Sequence, residues 1–398
     1  MPETIHHALV LNLHQPSGNI EQLLKNNEWE AKEILWALDR IPRSLWGFED
    51  IARVHLSLSG TLLETLSNIE FQNQVYGIVK CGDLLWHLQN TKIFELLGTA
   101  FYHSVFPLIP KDDWHEQCKR WQGIGTHLFW RENFSGFWPP EMGFCMEMIP
   151  MLRNLGYKYV MVDSENIEPL ESMRWEELRY QPHIARYEDS EIIVVVRDRE
   201  LSDAQESGME WSWFSKEVTD RVKWCDFHPL VTTITDGDNG GWFRNTSGNG
   251  NFWDAFYKEF LQNVKEKNTN IHPVFISDYL TTYGARGYVN VTPAAWNTGW
   301  HDGKDFVQWT GSQSQKDALK EVSILSKRFH SLKENIALHQ HLDLSNLLDE
   351  AHWHLLRSQT SCNFFWGEAW VYKCKEDLSI VEQIITQIEL KMTQLTPS

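Results

Sequence analysis

The feature that most constrains the fold is an alternation of short β-rich runs and amphipathic helical patterns over about two-thirds of the chain. This alternation is typical of a parallel sheet whose strands are joined by crossover helices. Examples of the predicted helices are Trp114–Glu132 and Met146–Leu155. The predicted strands are Ala8–Leu13, Val54–Leu58, Leu96–Phe101, Gly136–Trp138, Lys158–Val162, Ile192–Val196, Leu230–Thr235 and Val274–Ile276.

One of these runs, Ile192–Val196, follows a charged turn at Glu188–Ser190, which favours a hairpin outside the main sheet. Setting it aside leaves about seven barrel strands. From about Ser312 the β pattern disappears, and three helices are predicted over Ser314–Leu332, Leu344–Thr360 and Asp377–Leu395. We therefore expect an α/β fold, with a barrel and connector over residues 1–311. A C-terminal helical domain over residues 312–398 would line the cleft.

The net charge of −18 argues against nucleic acid and membrane surfaces as partners, because both attract clustered Lys and Arg. The first residues lack a signal-peptide pattern, and no apolar run is long enough to span a bilayer. The six cysteines form neither a C-x-x-C pair nor a regular framework, which favours reduced thiols and a cytoplasmic protein. The oligomeric state is not predicted.

Twenty tryptophans are several times the number expected for 398 residues. About half suit a large core, but the others lie in Gly- and Pro-rich segments without core periodicity. A flat indole suits the apolar face of a sugar ring, which favours a carbohydrate ligand. The candidate sugar platforms are Trp242, Trp296, Trp300, Trp366 and Trp370.

In a parallel barrel the chemistry lies at the carboxyl ends of the strands. The polar residues that follow the predicted strands are His14, Gln15, Ser59, His103, Glu141, Asp163, Glu165, Arg197, Asp198, Asp236, Asp238, Asn239 and Asp278. Glu141 stands out because it follows Trp138-Pro139-Pro140, and Asp236 because it ends a β-rich run. Glycosidic cleavage requires two carboxyl groups, so these acids suggest a glycosidase pair.

Five segments in order resemble glycoside hydrolase family 57, a family of α-glucan hydrolases and transglycosylases. The likeness extends from His14 to about Tyr372. The segments are Leu11–Pro16, Gly98–Leu108, Phe137–Gly143, Thr235–Asn239 and Ser358–Trp370.

The resemblance implies a (β/α)7 barrel with a helical C-terminal domain, a retaining mechanism and no obligatory cofactor. It places the nucleophile on Glu141 and the general acid/base on Asp236, and it places sugar-binding histidines on His14 and His103. To these we add Trp138, Trp242, Trp366 and Asp238 as expected substrate contacts, and no metal ligand is expected.

Two departures from the family pattern leave the substrate open. Asp238 occupies a position where the family often has Glu. Asn363 lies in the segment Ser361–Trp366, where many members have an Asp after the Ser. The expected activity is α-amylase-like hydrolysis of α-1,4-glucosidic bonds by double displacement, with carboxyl groups about 5–5.5 Å apart. The alternatives are an α-glucan transglycosylase (a branching enzyme or 4-α-glucanotransferase) and a non-catalytic carbohydrate-binding protein.

Two further interpretations apply to the polar residues that follow the predicted strands: a metal site and a solvated run of charges. His14, His103 and Asp163 are chemically able to bind a metal, as in a metal-dependent deacetylase, but no H-x-x-x-H or H-x-D pattern supports this at a strand end. The segment Arg197–Glu200 is most simply a solvated run of charges, although Arg197 or Asp198 would be well placed to orient a catalytic group.

Overall fold

The computed structural model describes residues 2–244, 250–296, 305–339 and 344–395. They form two compact units that interleave along the chain. The barrel unit comprises residues 1–99, 121–138 and 145–292, and the helical unit comprises residues 100–120, 139–144 and 293–398. The division into contiguous domains after residue 311 stays a prediction.

The barrel unit contains a parallel sheet of seven strands in the order β3-β2-β1-β9-β8-β5-β4. The strands of this unit are β1 (Ile5–Leu13), β2 (Val54–Leu58), β3 (Phe94–Leu97), β4 (Gly136–Phe137), β5 (Tyr159–Asp163), β6 (Ile167–Pro169), β7 (His183–Tyr187), β8 (Ser190–Arg197), β9 (Leu230–Asp236), β10 (Ile271–Pro273) and β11 (Val289–Val291). The residues of β2 and β5 are all buried, as expected for strands covered on both faces.

The two ends of the sheet meet at Gly98, which pairs with Phe137 in parallel. The amide of Gly98 donates to the carbonyl of Gly136 over 2.9 Å, and the amide of Trp138 donates to the carbonyl of Gly98 over 2.7 Å. A Cβ at Gly98 would overlap the phenol ring of Tyr157, so the close approach requires glycine. This contact nearly closes the sheet into the expected barrel.

The number of barrel strands is confirmed, but two assignments are wrong. The run Ile192–Val196 lies in β8, in the middle of the main sheet, whereas its antiparallel hairpin partner β7 lies outside the seven-strand path, as does β10, which pairs with β1. The run Val274–Ile276 is not a strand: β10 ends at Pro273, and a helix begins at Ile276. The third strand also lies earlier than expected, at Phe94–Leu97.

Helices connect the strands, as the alternating pattern predicts. They are α1 (Asn19–Asn26), α2 (Glu28–Ser44), α3 (Gly60–Ser67), α4 (Ile69–Val75), α5 (Cys81–Asn90), α6 (Lys111–Phe129), α7 (Ile149–Asn154), α8 (Trp175–Tyr180), α9 (Arg199–Ser207), α10 (Trp211–Val222), α11 (Gly240–Arg244), α12 (Lys258–Lys265) and α13 (Ile276–Tyr283). Residues 111–120 of α6 belong to the helical unit. Ser59 and Asp198 cap α3 and α9, because each side chain accepts an amide of the first turn.

The helical unit contains α14 (Val307–Thr310), α15 (Gln313–His339), α16 (Ser345–Ser358), α17 (Cys362–Phe365) and α18 (Glu368–Leu395). Its core is a cluster of buried apolar side chains, among them Val322, Leu355 and Val381 from α15, α16 and α18. The three long helices confirm the expected helical C-terminal region. None of the described helices is long and apolar enough to cross a membrane.

Candidate active site

Glu141 lies in a strained turn of the helical unit. Pro139 and Pro140 precede it, and the residues Pro140–Met142 form a single 3₁₀ turn. Glu141 has φ 57° and ψ 17°, and Met142 has φ 54°. Side chains rarely adopt this left-handed region, and such strain is found most often at functional sites.

The carboxylate of Glu141 is buried, and each oxygen accepts a hydrogen bond from a neutral donor. The hydroxyl of Ser361 donates to Oε1 over 2.9 Å, and the indole Nε1 of Trp296 donates to Oε2 over 3.0 Å. Donors that point at both oxygens favour the ionised carboxylate and fix its orientation. An ionised, oriented carboxylate is what a nucleophile requires.

His103 is a third residue, besides Ser361 and Trp296, that lies close to the Glu141 carboxylate. Its Nδ1 lies 3.0 Å from the hydroxyl of Ser361 and 3.6 Å from Oε1 of Glu141. Burial lowers the pKa of His103 to about 3, so the ring is neutral at ordinary pH and adds no positive charge beside Glu141. His103 also has a left-handed backbone, with φ 54°. His103, a predicted substrate contact, thus lies beside Glu141, the predicted nucleophile.

Trp296 and Ser361 are contacts of Glu141 that the sequence pattern did not identify. Trp296 was expected to stack on sugar, and Ser361 was only part of a resembling segment. Both lie more than 150 residues from Glu141 in the chain, so no local spacing points to them.

Asp236 ends β9 in the barrel unit, where β9 pairs with β1 and Asp236 lies opposite Asn12. The amide of Asn12 donates to Oδ1 over 2.8 Å, and that of Asn239 donates to Oδ2 over 3.4 Å. Burial raises the pKa of Asp236, and the charges of Arg197 and Arg244 oppose this rise. A raised pKa suits a carboxyl group that must donate a proton.

Asp238 is more enclosed than Asp236: it is fully buried, whereas Asp236 is partly exposed. Gln15 donates to its Oδ2 over 2.8 Å, and its Oδ1 has no partner among the described residues. Burial, and next the charge of Asp236, raise the pKa of Asp238 to about 7. The Asp238 carboxyl group therefore keeps its proton to a higher pH than an exposed Asp does.

The segment Arg197–Glu200 is not the solvated run of charges expected from its composition. Arg197 and Asp198 are almost fully buried. The Asp163 carboxylate accepts from Arg197 over 2.8 Å and from Arg199 over 2.8 Å, which forms a buried ion network. Because both its oxygens bind guanidinium groups, Asp163 is a poor metal ligand.

The predicted aromatic contacts fall into different environments. Trp366 is 57% exposed and lies 6.3 Å from Trp370 between ring centroids, which gives a surface aromatic pair. Trp242 is partly exposed on α11. Trp138 is fully buried, which favours packing over sugar stacking. Trp300 lies outside the described residues.

His14 directly follows β1 and is buried in the barrel unit. Asp278 lies instead on the exposed surface of α13. The roles of His14, His103, Asp238 and the tryptophans as substrate contacts stay predictions.

Comparison with known proteins identifies the family. The model of Glycosyl hydrolase family 57 matches residues 8–292 of the 398. The chain belongs to this family. The matched region includes both Glu141 and Asp236, so the expected family resemblance is confirmed over the segments that contain the candidate acids.

Two relatives of this family 57 protein have names that indicate different activities. An "Alpha-amylase" of Pyrococcus horikoshii is 27% identical over 153 residues, which are 38% of this chain and 21% of the relative. A "4-alpha-glucanotransferase" of Thermococcus kodakarensis is 25% identical over 164 residues, which are 40% of this chain and 22% of the relative. The matches thus cover about a fifth of each relative's length.

A solved structure shows the same fold over most of both chains. It is a branching enzyme of family 57 from Thermococcus kodakaraensis in complex with glucose. The TM-score is 0.74 at 13% sequence identity, and the match covers 97% of this chain and 90% of the other.

The structure gives a physical reason for the departure at Asn363. Its amide donates to the carbonyl of Ser358 over 3.1 Å, and the side chain is buried. A carboxylate has no hydrogen to donate to a carbonyl oxygen, so Asp would not replace Asn here without loss of this bond. Asn363 therefore stabilises the segment that contains Ser361.

Proposed function

We propose that this family 57 protein is a retaining glycosidase that hydrolyses α-1,4-glucosidic bonds of α-glucans, as an α-amylase does. The main support for the proposal is that Ser361 and Trp296 donate hydrogen bonds to the Glu141 carboxylate, which lies in a strained turn. The neutral ring of His103 beside it adds no positive charge that would weaken the nucleophilicity of the carboxylate.

In the first step Glu141 attacks the anomeric carbon while Asp236 protonates the departing glycosidic oxygen. This gives a β-glucosyl-enzyme and a free sugar end. In the second step Asp236 accepts a proton from water, which attacks the same carbon and releases Glu141 with net retention. The carboxyl separation of about 5–5.5 Å that retention requires is part of this proposal.

Asp236 is assigned as the acid rather than Asp238 because only Asp236 is partly exposed. A proton donor must reach the glycosidic oxygen, whereas a fully enclosed carboxyl group cannot. Asp238 would affect the reaction through its charge, and its contact with substrate would then be indirect.

An α-glucan is favoured as substrate by the names of the relatives and by the exposed indole of Trp366, which lies beside the half-buried Trp370. A neutral polysaccharide is also compatible with a net charge of −18. We further propose a cytoplasmic location. It is supported by buried thiols such as Cys81 and Cys374, which are not in disulfides.

The test is incubation of the protein with maltoheptaose, with products followed by chromatography and by proton NMR of the anomeric signals. We expect shorter maltooligosaccharides with new reducing ends that first appear as the α-anomer. The β-anomer as first product would contradict retention. A ligand that binds but stays unchanged would contradict catalysis and favour a carbohydrate-binding protein.

A transglycosylase is the second candidate, and the resemblance to a 4-alpha-glucanotransferase favours it. It uses the same two carboxyl groups, but a sugar hydroxyl replaces water in the second step. The same incubation distinguishes the two, because a transglycosylase redistributes chain lengths without a net increase in reducing ends.

A further inference from the structure

A second cluster of ionisable side chains lies in the helical unit, apart from the residues assigned to catalysis. Asp113 near the start of α6, His330 of α15 and His352 of α16 each present one possible ligand atom. These three atoms lie within 4.8 Å of one another. Asp113 and His352 are buried and His330 is partly exposed, so the cluster is enclosed but open on one side.

The carboxylate of Asp113 is held in place on both oxygens. Oδ1 lies 2.7 Å from Nε2 of His330. Oδ2 accepts from the hydroxyl of Ser326 over 2.8 Å and from the amide of Gln359 over 2.6 Å. Hydrogen bonds of this kind orient the carboxylates that bind metal ions.

His352 is the member of the cluster whose hydrogen bonding is incomplete. Its side chain is 5% exposed, and its Nε2 is buried without a hydrogen-bond partner among the described residues. A buried polar atom without a partner destabilises the folded protein, so such atoms usually bind water or an ion. Burial also lowers the pKa of His352 to about 3, which keeps the ring in the neutral form that binds metal.

Two imidazoles and one carboxylate are a common ligand set for zinc. Zinc binds nitrogen and oxygen at about 2.0–2.2 Å, so its ligand atoms lie about 3.4 Å apart in a tetrahedron. Small rotations of the three side chains would bring these atoms, which lie within 4.8 Å of one another, to that spacing. Arg120 and Lys333 act on His352 as nearby positive charges, and the Asp113 carboxylate offsets part of their repulsion of a cation.

We propose that Asp113, His330 and His352 bind a structural Zn²⁺ ion, with water as the remaining ligand. The ion joins α6 to the consecutive helices α15 and α16, which lie about 200 residues further along the chain, and so stabilises the helical unit. This site differs from the set of His14, His103 and Asp163 considered from the sequence, and the proposal does not depend on the proposed function.

The Zn²⁺ site would also support the segment next to the nucleophile. Gln359 donates to Asp113 and accepts from Gln117 over 3.1 Å, and Gln117 in turn accepts from the amide of Tyr102 over 3.2 Å. Tyr102 and Gln359 are close in sequence to His103 and Ser361. An ion on Asp113 would therefore restrain the residues that orient Glu141.

The experiment measures Zn²⁺ binding to the chelator-treated full chain by calorimetry, and Co²⁺ binding by visible absorption. We expect one Zn²⁺ per chain with micromolar or tighter affinity, and the intense visible bands of four-coordinate Co²⁺. Zn²⁺ at about 100 times its Kd should raise the Tm by about 2–5 °C.

His330→Ala is the main variant because His330 is partly exposed and its loss should not prevent folding. We expect at least a tenfold weaker Zn²⁺ affinity, and the same for His352→Gln. His115→Ala is the matched control, since His115 is an exposed histidine on α6 two residues from Asp113.

Absence of Zn²⁺ binding to the wild-type chain would overturn the proposal. So would equal Zn²⁺ affinity in the wild-type chain and His330→Ala, or a Co²⁺ spectrum without the four-coordinate bands. The spectrum of the wild-type chain decides the question even where a variant does not fold.

Discussion

The nucleophile candidate and the acid candidates are both buried carboxyl groups, but their surroundings differ. In the helical unit both oxygens of Glu141 accept hydrogen bonds from neutral donors. In the barrel unit burial raises the pKa of both Asp236 and Asp238, the charge of Asp236 raises the pKa of Asp238 further, and one oxygen of Asp238 has no partner among the described residues. Donors stabilise an anion, whereas burial beside another acid stabilises the protonated form.

In the proposed mechanism, this contrast lets carboxyl groups serve two roles. Retaining catalysis needs one ionised and one protonated carboxyl group at the same pH. In the proposed mechanism hydrogen-bond donors favour the ionised form of Glu141, and burial favours the protonated form of Asp236. Single substitutions can remove one side of this contrast at a time.

Glu141→Gln removes the anion from the helical unit while keeping the shape of the side chain. We expect kcat to fall by about 10⁴-fold or more, because no nucleophile remains to form the glucosyl-enzyme. Binding of maltoheptaose should persist in calorimetry. Glu132→Gln alters an exposed acid nearby in sequence and should leave kcat unchanged. Normal turnover by Glu141→Gln would exclude it as the nucleophile.

Asp238→Asn removes the carboxyl group whose pKa is raised most clearly. The folded state of the wild type binds a proton that the unfolded chain releases, so its free energy of unfolding decreases from about pH 4 to pH 7. The Asp238→Asn variant does not undergo this decrease in the free energy of unfolding. At pH 8 it should be more stable than the wild type by about 2–4 kcal/mol, and the difference should disappear below about pH 4.

Urea unfolding across this pH range measures the effect. Asp278→Asn is the control, because Asp278 is an exposed acid and its replacement should leave the pH dependence unchanged. A difference between Asp238→Asn and the wild type that does not vary with pH would show that Asp238 is not protonated in the folded protein.

Trp296→Phe keeps an aromatic ring but removes the donor to Oε2 of Glu141. We expect kcat to fall by about 10- to 100-fold, since an oriented donor at a reacting group contributes a few kcal/mol at most. Trp224→Phe is the control at a tryptophan that is 71% exposed. If only KM changed, Trp296 would contact the sugar rather than orient Glu141.

Trp366→Ala should have the smallest effect. Loss of one surface indole should raise KM for maltoheptaose by about 3- to 10-fold, with kcat nearly unchanged, because stacking contributes about 1 kcal/mol. Trp29→Ala, at a tryptophan 70% exposed in the barrel unit, is the control. An unchanged KM would remove Trp366 from the binding residues.

Periodicity predicted much of the fold because strand alternation and helix stripes are local signals. The predicted number of seven strands is nevertheless correct only because two errors cancel. The prediction excluded the run in β8, which lies in the main sheet, and included the run Val274–Ile276, which is not a strand. The charged turn before β8 does indicate a hairpin, but a local turn cannot show that β8 also pairs with β5 and β9. Pairing between distant strands is decided by tertiary packing.

The same limit applies to the site. Glu141 and Asp236 were predicted as the catalytic acids because each follows a strand-end pattern that is visible in sequence. Trp296 and Ser361 were not found as partners of Glu141, because their contacts depend on how distant segments fold together. The charged run at Arg197 was misjudged for a related reason: composition does not show that its partner Asp163 is also buried.

The most direct test of the central claim is to trap the glucosyl-enzyme. A 5-fluoro-α-glucosyl fluoride forms the intermediate and slows its hydrolysis, and mass spectrometry of the digested protein then locates the sugar. We expect a single adduct on Glu141, absent from Glu141→Gln. An adduct on Asp236 or another residue would contradict the assignment of Glu141 as the nucleophile of this family 57 protein.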